Sequence, residues 1–180
     1  MGIRLDWETD TKICNNTIKG GYTPIYNRVS SWTVISNNTC YGGSNGVIVT
    51  SSDYPFIFNN TCMENNHGIN LLYVNHGVIV NNTLSKNTGY GVYIDSSSND
   101  NNTICSNIFN QNNPGGCQAF DQGSNNHWYN SSTNTGNYWS NYVGTGSYSI
   151  DGAANSYDPF PMGIYEPGTV VLMDIPGGTK

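Results

Sequence analysis

The sequence predicts an all-β protein, a solenoid of short parallel strands in about six rungs, and three observations carry that expectation. Asn-Asn-Thr stands at Asn15, Asn37, Asn59 and Asn81, each copy 22 residues after the one before. Apolar residues and thiols keep the same period. Ile13, Ile35, Ile57 and Ile79 form one column, Ile18, Cys40, Cys62 and Leu84 a second, and Ile3, Ile25, Val47 and Ile69 a third. No window shows helical periodicity over about ten residues. A fixed period of this length marks one supersecondary unit stacked on copies of itself.

Each unit reads as Gly, aliphatic, any residue, aliphatic, then a polar stretch, then Ile and Asn-Asn-Thr before a further aliphatic residue. Gly68, Ile69, Leu71, Ile79, Asn81, Asn82, Thr83 and Leu84 show the pattern. The alternating pairs are strands, and the Asn and Gly clusters are turns that tolerate left-handed backbone. Rungs of such a coil are spaced by about 4.8 Å, so residue i sits over residue i+22. Asn16, Asn38, Asn60, Asn82 and Asn107 then form an amide ladder at one turn, satisfying backbone groups that the turn would orphan.

After Asn82 the register lengthens. Asn101-Asn102-Thr103 imitates a fifth copy, but aligning Ile104 with Ile79, Asn107 with Asn82 and Phe109 with Leu84 fits the columns better. Gly91, Val92 and Ile94 match Gly68, Ile69 and Leu71, which puts the added residues in the Ser96–Asn101 loop and nearby. Gly116, Cys117 and Ala119 are expected to open the next rung and Trp128 to close it. Repeats are assigned to residues 2–135. Beyond Gly136 the period stops, and 136–180 reads as a C-terminal capping segment ending in a strand at Thr169–Ile175.

With Ile35, Ile57 and Ile79 inward, alternation sends Val34, Phe56, Val78, Phe58 and Val80 outward. An outer face this apolar calls for cover by the chain's own tail, a partner or a neighbouring domain. Self-association through that face, or through the N-terminal rung where Ile3 and Leu5 lie open, is the corresponding expectation. Trp32, Tyr54 and His76 form a further 22-residue column. Tyr54, Tyr73 and Tyr93, with Trp32, are the candidate ligand-binding residues, because stacked rungs present regular rows of aromatic and polar side chains.

About one residue in six is Asn, and the formal net charge is −6 with six basic residues. That balance excludes nucleic acid as a partner. No apolar run is long enough for a membrane-spanning helix. Gly2 to Leu5 already fit the repeat, so no signal peptide is read, and Met1 is taken as the front of an excised fragment. Five cysteines without tight spacing make a poor disulfide framework. Cys40 and Cys62 are expected as buried free thiols.

Catalytic chemistry finds little support. Asp6, Glu8 and Asp10 are the one carboxylate cluster, read as the solvated outer face of a strand with Arg4 nearby. Glycoside hydrolysis needs two carboxylates facing each other across the bond, and no such pair is evident. Met63, His67 and His76 fall in one rung beside Cys62 without forming a soft-ligand cluster. No cofactor and no metal are expected. The six Asn-x-Ser/Thr sequons, at Asn15, Asn37, Asn59, Asn81, Asn101 and Asn130, follow mainly from the repeat.

The string Ile-x-x-Asn-x-(Ile/Phe/Cys) followed by Gly-Ile-x-Leu resembles the right-handed parallel β-helix repeat of the pectin-lyase-like superfamily. Asn125-Asn126-His127-Trp128, Gly136-Asn137-Tyr138-Trp139-Ser140-Asn141-Tyr142 and the stretch from Tyr148 to Pro161 resemble the ending of NosD-like repeat proteins of archaeal cell surfaces. The resemblance covers residues 2 to about 162. It implies a right-handed coil, which the general preference for right-handed crossovers also favours, and an extracellular or cell-surface location. It implies a non-catalytic scaffold or binding module for a glycan or another surface protein. The alternatives are a fragment of a polysaccharide-active lyase or epimerase, and a copper-accessory protein of the kind the NosD name denotes. Many relatives carry an Asp-rich, calcium-loop-like insert after Tyr-Trp. Here Val143–Ser147 holds no carboxylate, so no calcium site is expected there.

Overall fold

The computed structural model describes residues 2–163. Three parallel sheets wrap into a coil. The first face stacks Ile3–Asp6, Ile25–Arg28, Asn45–Asp53, His67–Asn75, Val92–Ile94 and Ala119–Asp121. The second stacks Lys12–Cys14, Val34–Ser36, Phe56–Phe58, Val78–Val80 and Thr103–Cys105. The third stacks Thr17–Lys19, Thr39–Tyr41, Thr61–Met63, Thr83–Ser85, Ile108–Asn110 and Tyr138–Trp139. Pairing is in the expected register: Ile35 lies between Ile13 and Ile57, Ile79 follows Ile57, and Ile104 sits on Ile79. The Asn101-Asn102-Thr103 alignment is thereby rejected.

Alternation sends one side of each strand into a continuous core. Ile25, Val47, Ile69 and Val92 on the first face meet Ile35, Ile57, Ile79 and Ile104 on the second and Cys40, Cys62, Leu84 and Phe109 on the third. Cys40 and Cys62 are buried free thiols. Gly46 and Gly68 begin first-face strands where a Cβ would meet the next rung's backbone, 2.7 Å from the Gly68 carbonyl and 2.5 Å from the Gly91 carbonyl respectively. That close approach explains the glycine at the head of the repeat.

The Asn-Asn-Thr motif has a division of labour. Its first Asn takes left-handed backbone, with φ of 60° at Asn15, 55° at Asn37, 54° at Asn59 and 57° at Asn81. Asn adopts this region more readily than most residues. The second Asn turns inward and accepts at Oδ1 both the backbone N–H and the Nδ2–H of the preceding rung's Asn. From Asn16 to Asn38 both distances are 3.0 Å, and from Asn60 to Asn82 they are 2.9 and 3.0 Å. From Asn38 onward each Nδ2 also donates to a core-strand carbonyl one rung back, as Asn60 does to Ile35 at 2.8 Å. Thr then starts the third-face strand.

This device recurs at other corners. Left-handed residues form columns at Trp32, Tyr54, His76 and Asn101, at Val29, Ser51 and Tyr73, and at Glu64, Lys86 and Gln111. The residue after each corner takes the ladder position. Ser30 donates from its backbone N–H to Ser52 Oγ, Gly77 to Asn102 Oδ1, and Asn65 and Asn87 continue a second full amide ladder to Asn112. Asn102, set aside by the register, is thus a ladder residue of a different corner.

The structure corrects the sequence reading at two places. Ala119, not Cys117, takes the position above Val92, and Asp121 takes that above Ile94. The Pro114–Gly116 turn swings outward and delays re-entry by two residues. Asp6, Glu8 and Asp10 do not share the face of one strand, because the chain bends at Trp7 (φ 63°) and again at Asp10 (φ 52°). Asp6 instead pairs with Arg4 and Arg28. The main ladder also runs past Gly136, since Asn137 accepts from Asn107 and Trp139 pairs with Phe109. The expected strand at Thr169–Ile175 lies outside the described residues.

Candidate functional site

The C-terminal end of the coil is closed by aromatic rings and two carboxylates. Trp128 and Trp139 are fully buried. Trp139 lies between Phe109 (centroids 4.1 Å) and Tyr148 (4.0 Å), nearly parallel to both. Its indole N–H donates to Asp158 at 2.9 Å, and Asp158 also accepts the Asn137 backbone N–H at 2.7 Å. Asp121 holds the other indole at 2.9 Å and accepts from Gly123, Asn126 and Ser156. Burial pushes the Asp158 carboxyl above the ordinary carboxylate value, against the pull of its N–H donors. Sequence reading gave neither carboxylate a role, because each meets its indole only in the folded coil.

Of the four aromatic candidates, the structure joins two. Trp32 and Tyr54 stack at 4.1 Å and Tyr54 and His76 at 4.9 Å, nearly parallel, as a ridge along one corner. Trp32 is 55% and Tyr54 41% exposed. Tyr54 is stacked on both faces, whereas Trp32 and His76, at the two ends of the ridge, each stack on one ring only. Tyr73 stands exposed at the neighbouring left-handed corner. Tyr93 lies apart on the first face, stacked with His67 at 4.4 Å and Phe120 at 4.9 Å. Its hydroxyl donates to Asp95 at 2.9 Å, and burial with that contact lifts its pKa to about 12.

His67 accepts the Tyr90 backbone N–H at Nδ1 (3.0 Å), which places its own proton on Nε2. Burial holds its pKa below the ordinary value. His76 belongs to the ridge, at the far end of the nine-residue strand that His67 begins. The two rings therefore do not converge with Met63, and among the described residues no three His, Cys, Asp or Glu side chains gather as metal ligands.

Beside the ridge, the outward columns of the second face are where alternation puts them. Phe56 is 40% and Val78 37% exposed, while Val34, Phe58 and Val80 are half-buried. Phe56 and Phe58 stack on each other at 4.6 Å. Among the described residues no segment lies over this patch.

A cleft of about 710 Å³ opens at the corner between the third and first faces, beneath the Pro114–Gly116 turn. Lys86, Gln111 and Ser140 line it from three successive rungs, with Gln118 and Asn141 behind them. Gln118 accepts from Asn112 at Oε1, ending the second ladder, and donates to Asn141 at 2.8 Å and to Ser140 at 3.2 Å. Sequence reading missed this cleft, because it exists only through the outward turn that displaced the register.

The profile of the right handed beta helix region matches residues 1–153. No curated protein and no solved structure matches the chain.

Proposed function

The chain belongs to the right-handed β-helix family, and from that premise we propose a non-catalytic scaffold that binds carbohydrate through side chains repeated at rung height. The observation that carries this reading is the fate of the two fully buried carboxylates. Asp121 and Asp158 are occupied by indole and backbone N–H groups in the C-terminal cap, whereas acid–base cleavage of a glycosidic bond needs two carboxylates facing substrate. What faces solvent is rows in register: the Trp32–Tyr54–His76 ridge, and Lys86, Gln111 and Ser140 in the cleft. The string Gly136–Tyr142 supports placing the protein among NosD-like modules of a cell surface. Glycan-array binding, weakened by Tyr54→Ala or Trp32→Ala with the circular dichroism spectrum unchanged, supports the ridge as a contact. Release of unsaturated or reducing sugars from an acidic polysaccharide overturns the reading in favour of a lyase or hydrolase.

Exposure of Phe56 and Val78 favours a second reading, a protein partner on the second face. Covering a large apolar side chain contributes about 1.5–3 kcal/mol. Sedimentation of the protein alone checks whether that partner is another copy, and Phe56→Ser then shifts any dimer to monomer.

A further inference from the structure

Resting on the reading of a carbohydrate-binding module, we propose that the cleft under the Pro114–Gly116 turn is its ligand site, and that it takes a saccharide carrying an anionic group. The cleft volume falls in the range of small-ligand sites, about 300–1,000 Å³. Its origin is local. From Asn112 to Ala119 the chain is two residues longer than from Asn87 to Val92 beneath it, and the surplus forms the overhanging wall. Gly115, at φ 86°, has open space where a Cβ would stand, so the wall ends in free backbone.

The donors inside the cleft are organised by the corner. Lys86 and Gln111 are its left-handed residues in successive rungs, with φ of 53° and 56°, and such corners aim the side chain outward. Ser140 sits one rung further, where its Oγ accepts the Gln111 backbone N–H at 2.9 Å. Cation, carboxamide and hydroxyl therefore follow one another at the rung pitch of about 4.8 Å. The deeper amides are engaged: Asn87 and Asn112 in the ladder, Gln118 with Ser140 and Asn141. Among the described residues, the Lys86 ammonium forms no ion pair, and the Gln111 carboxamide makes no hydrogen bond.

The charge balance selects the ligand. The chain carries twelve acidic and six basic residues, yet among the described residues no carboxylate lines this cleft and a lysine does. A carboxylate or sulfate at Lys86, with hydroxyls toward Gln111 and Ser140, satisfies that row. Glu64 stands one rung below Lys86 at the same corner, outside the lining and without an ion pair to the lysine, so within the cleft itself a cationic ligand meets Lys86 and no carboxylate.

The test is titration of the ¹⁵N-labelled chain with trigalacturonate, a heparin-derived tetrasaccharide and neutral galactotriose, followed by amide shifts. Shifts are expected at Lys86, Gln111, Gly115 and Ser140 with an anionic saccharide, and the stronger of the two anionic probes identifies carboxylate or sulfate. Lys86→Gln should weaken that binding about tenfold or more, as loss of a charged hydrogen bond does, while leaving galactotriose unaffected. Lys86→Arg should retain it. Lys19→Gln, the same charge change on a third-face strand away from the cleft, should leave it unchanged. Equal losses from Lys19→Gln and Lys86→Gln overturn the site. Shifts confined to Trp32 and Tyr54 overturn it too but leave the binding module standing, whereas no shift with any probe removes both.

Discussion

The two ends of the coil are built differently. At the N-terminal end Ile3, Leu5 and Ile18 are only partly buried, and Asn16 is the first residue of its ladder. At the other end the column of Ile18, Cys40, Cys62 and Leu84 enlarges to Phe109 and then Trp139, with Tyr148 stacked on top. The ladder there ends on Asp158, which accepts the same Asn137 N–H that a further Asn would. An amide both donates and accepts, so it passes the bond on; a carboxylate only accepts, so it stops it. The difference teaches how one polar column is propagated by Asn and terminated by Asp.

Removing the cap should have the largest effect. Trp139→Ala leaves a cavity among Phe109, Trp128 and Tyr148 and should cost about 3–5 kcal/mol in urea unfolding. Ile3→Ala at the open end should cost under about 1 kcal/mol, because less of that side chain leaves water. Equal costs would mean the ends are not distinguished as described.

Ladder residues come next. Asn60→Leu removes the acceptor for Asn38 and the donor to Ile35 and Asn82, and should destabilise by about 1–3 kcal/mol. Asp158→Ala should cost a similar amount. Asp158→Asn should cost less than Asp158→Ala: its Oδ1 can accept from Asn137 and Trp139, but its Nδ2 replaces the acceptor of the Phe160 backbone N–H, so a loss of about 1 kcal/mol remains.

The smallest effect is a pH dependence. Burial holds His67 below its unfolded value near 6.5, outweighing Asp95, so the neutral ring belongs to the fold. The contribution is complete above 6.5 and is lost as pH falls below it, because protonation at Nδ1 removes the acceptor for Tyr90. Denaturation midpoints measured from pH 7.5 to 5 should fall less in His67→Gln than in the parent chain.

The regular half of this molecule was legible because one rung height forces identical residues into contact. Ile13 to Ile79 and Asn16 to Asn82 could be paired by counting alone. Even the lengthened step to Ile104 and Asn107 followed, because Ile104 and Phe109 continue two apolar columns and Asn107 continues the amide ladder. Legibility failed where those constraints relax. Pro114–Gly116 adds residues on the outside, so nothing in the columns marks where the chain returns, and Cys117 and Ala119 were each placed two residues too early. Asp121 and Asp158 act on indoles brought near by the coil rather than by the period. The Glu64, Lys86 and Gln111 corner was also missed, since a left-handed corner accepts many polar side chains and leaves no single letter to count. The ridge was visible as a column, but that Tyr54 is sandwiched between Trp32 and His76 is a property of the rung spacing.

The most direct test of binding without turnover is to hold the protein with an acidic oligosaccharide and follow both partners by NMR for several days. Saturable shifts in protein amides and an unchanged saccharide spectrum are expected. New signals from unsaturated residues or fresh reducing ends, scaling with protein concentration, would contradict it.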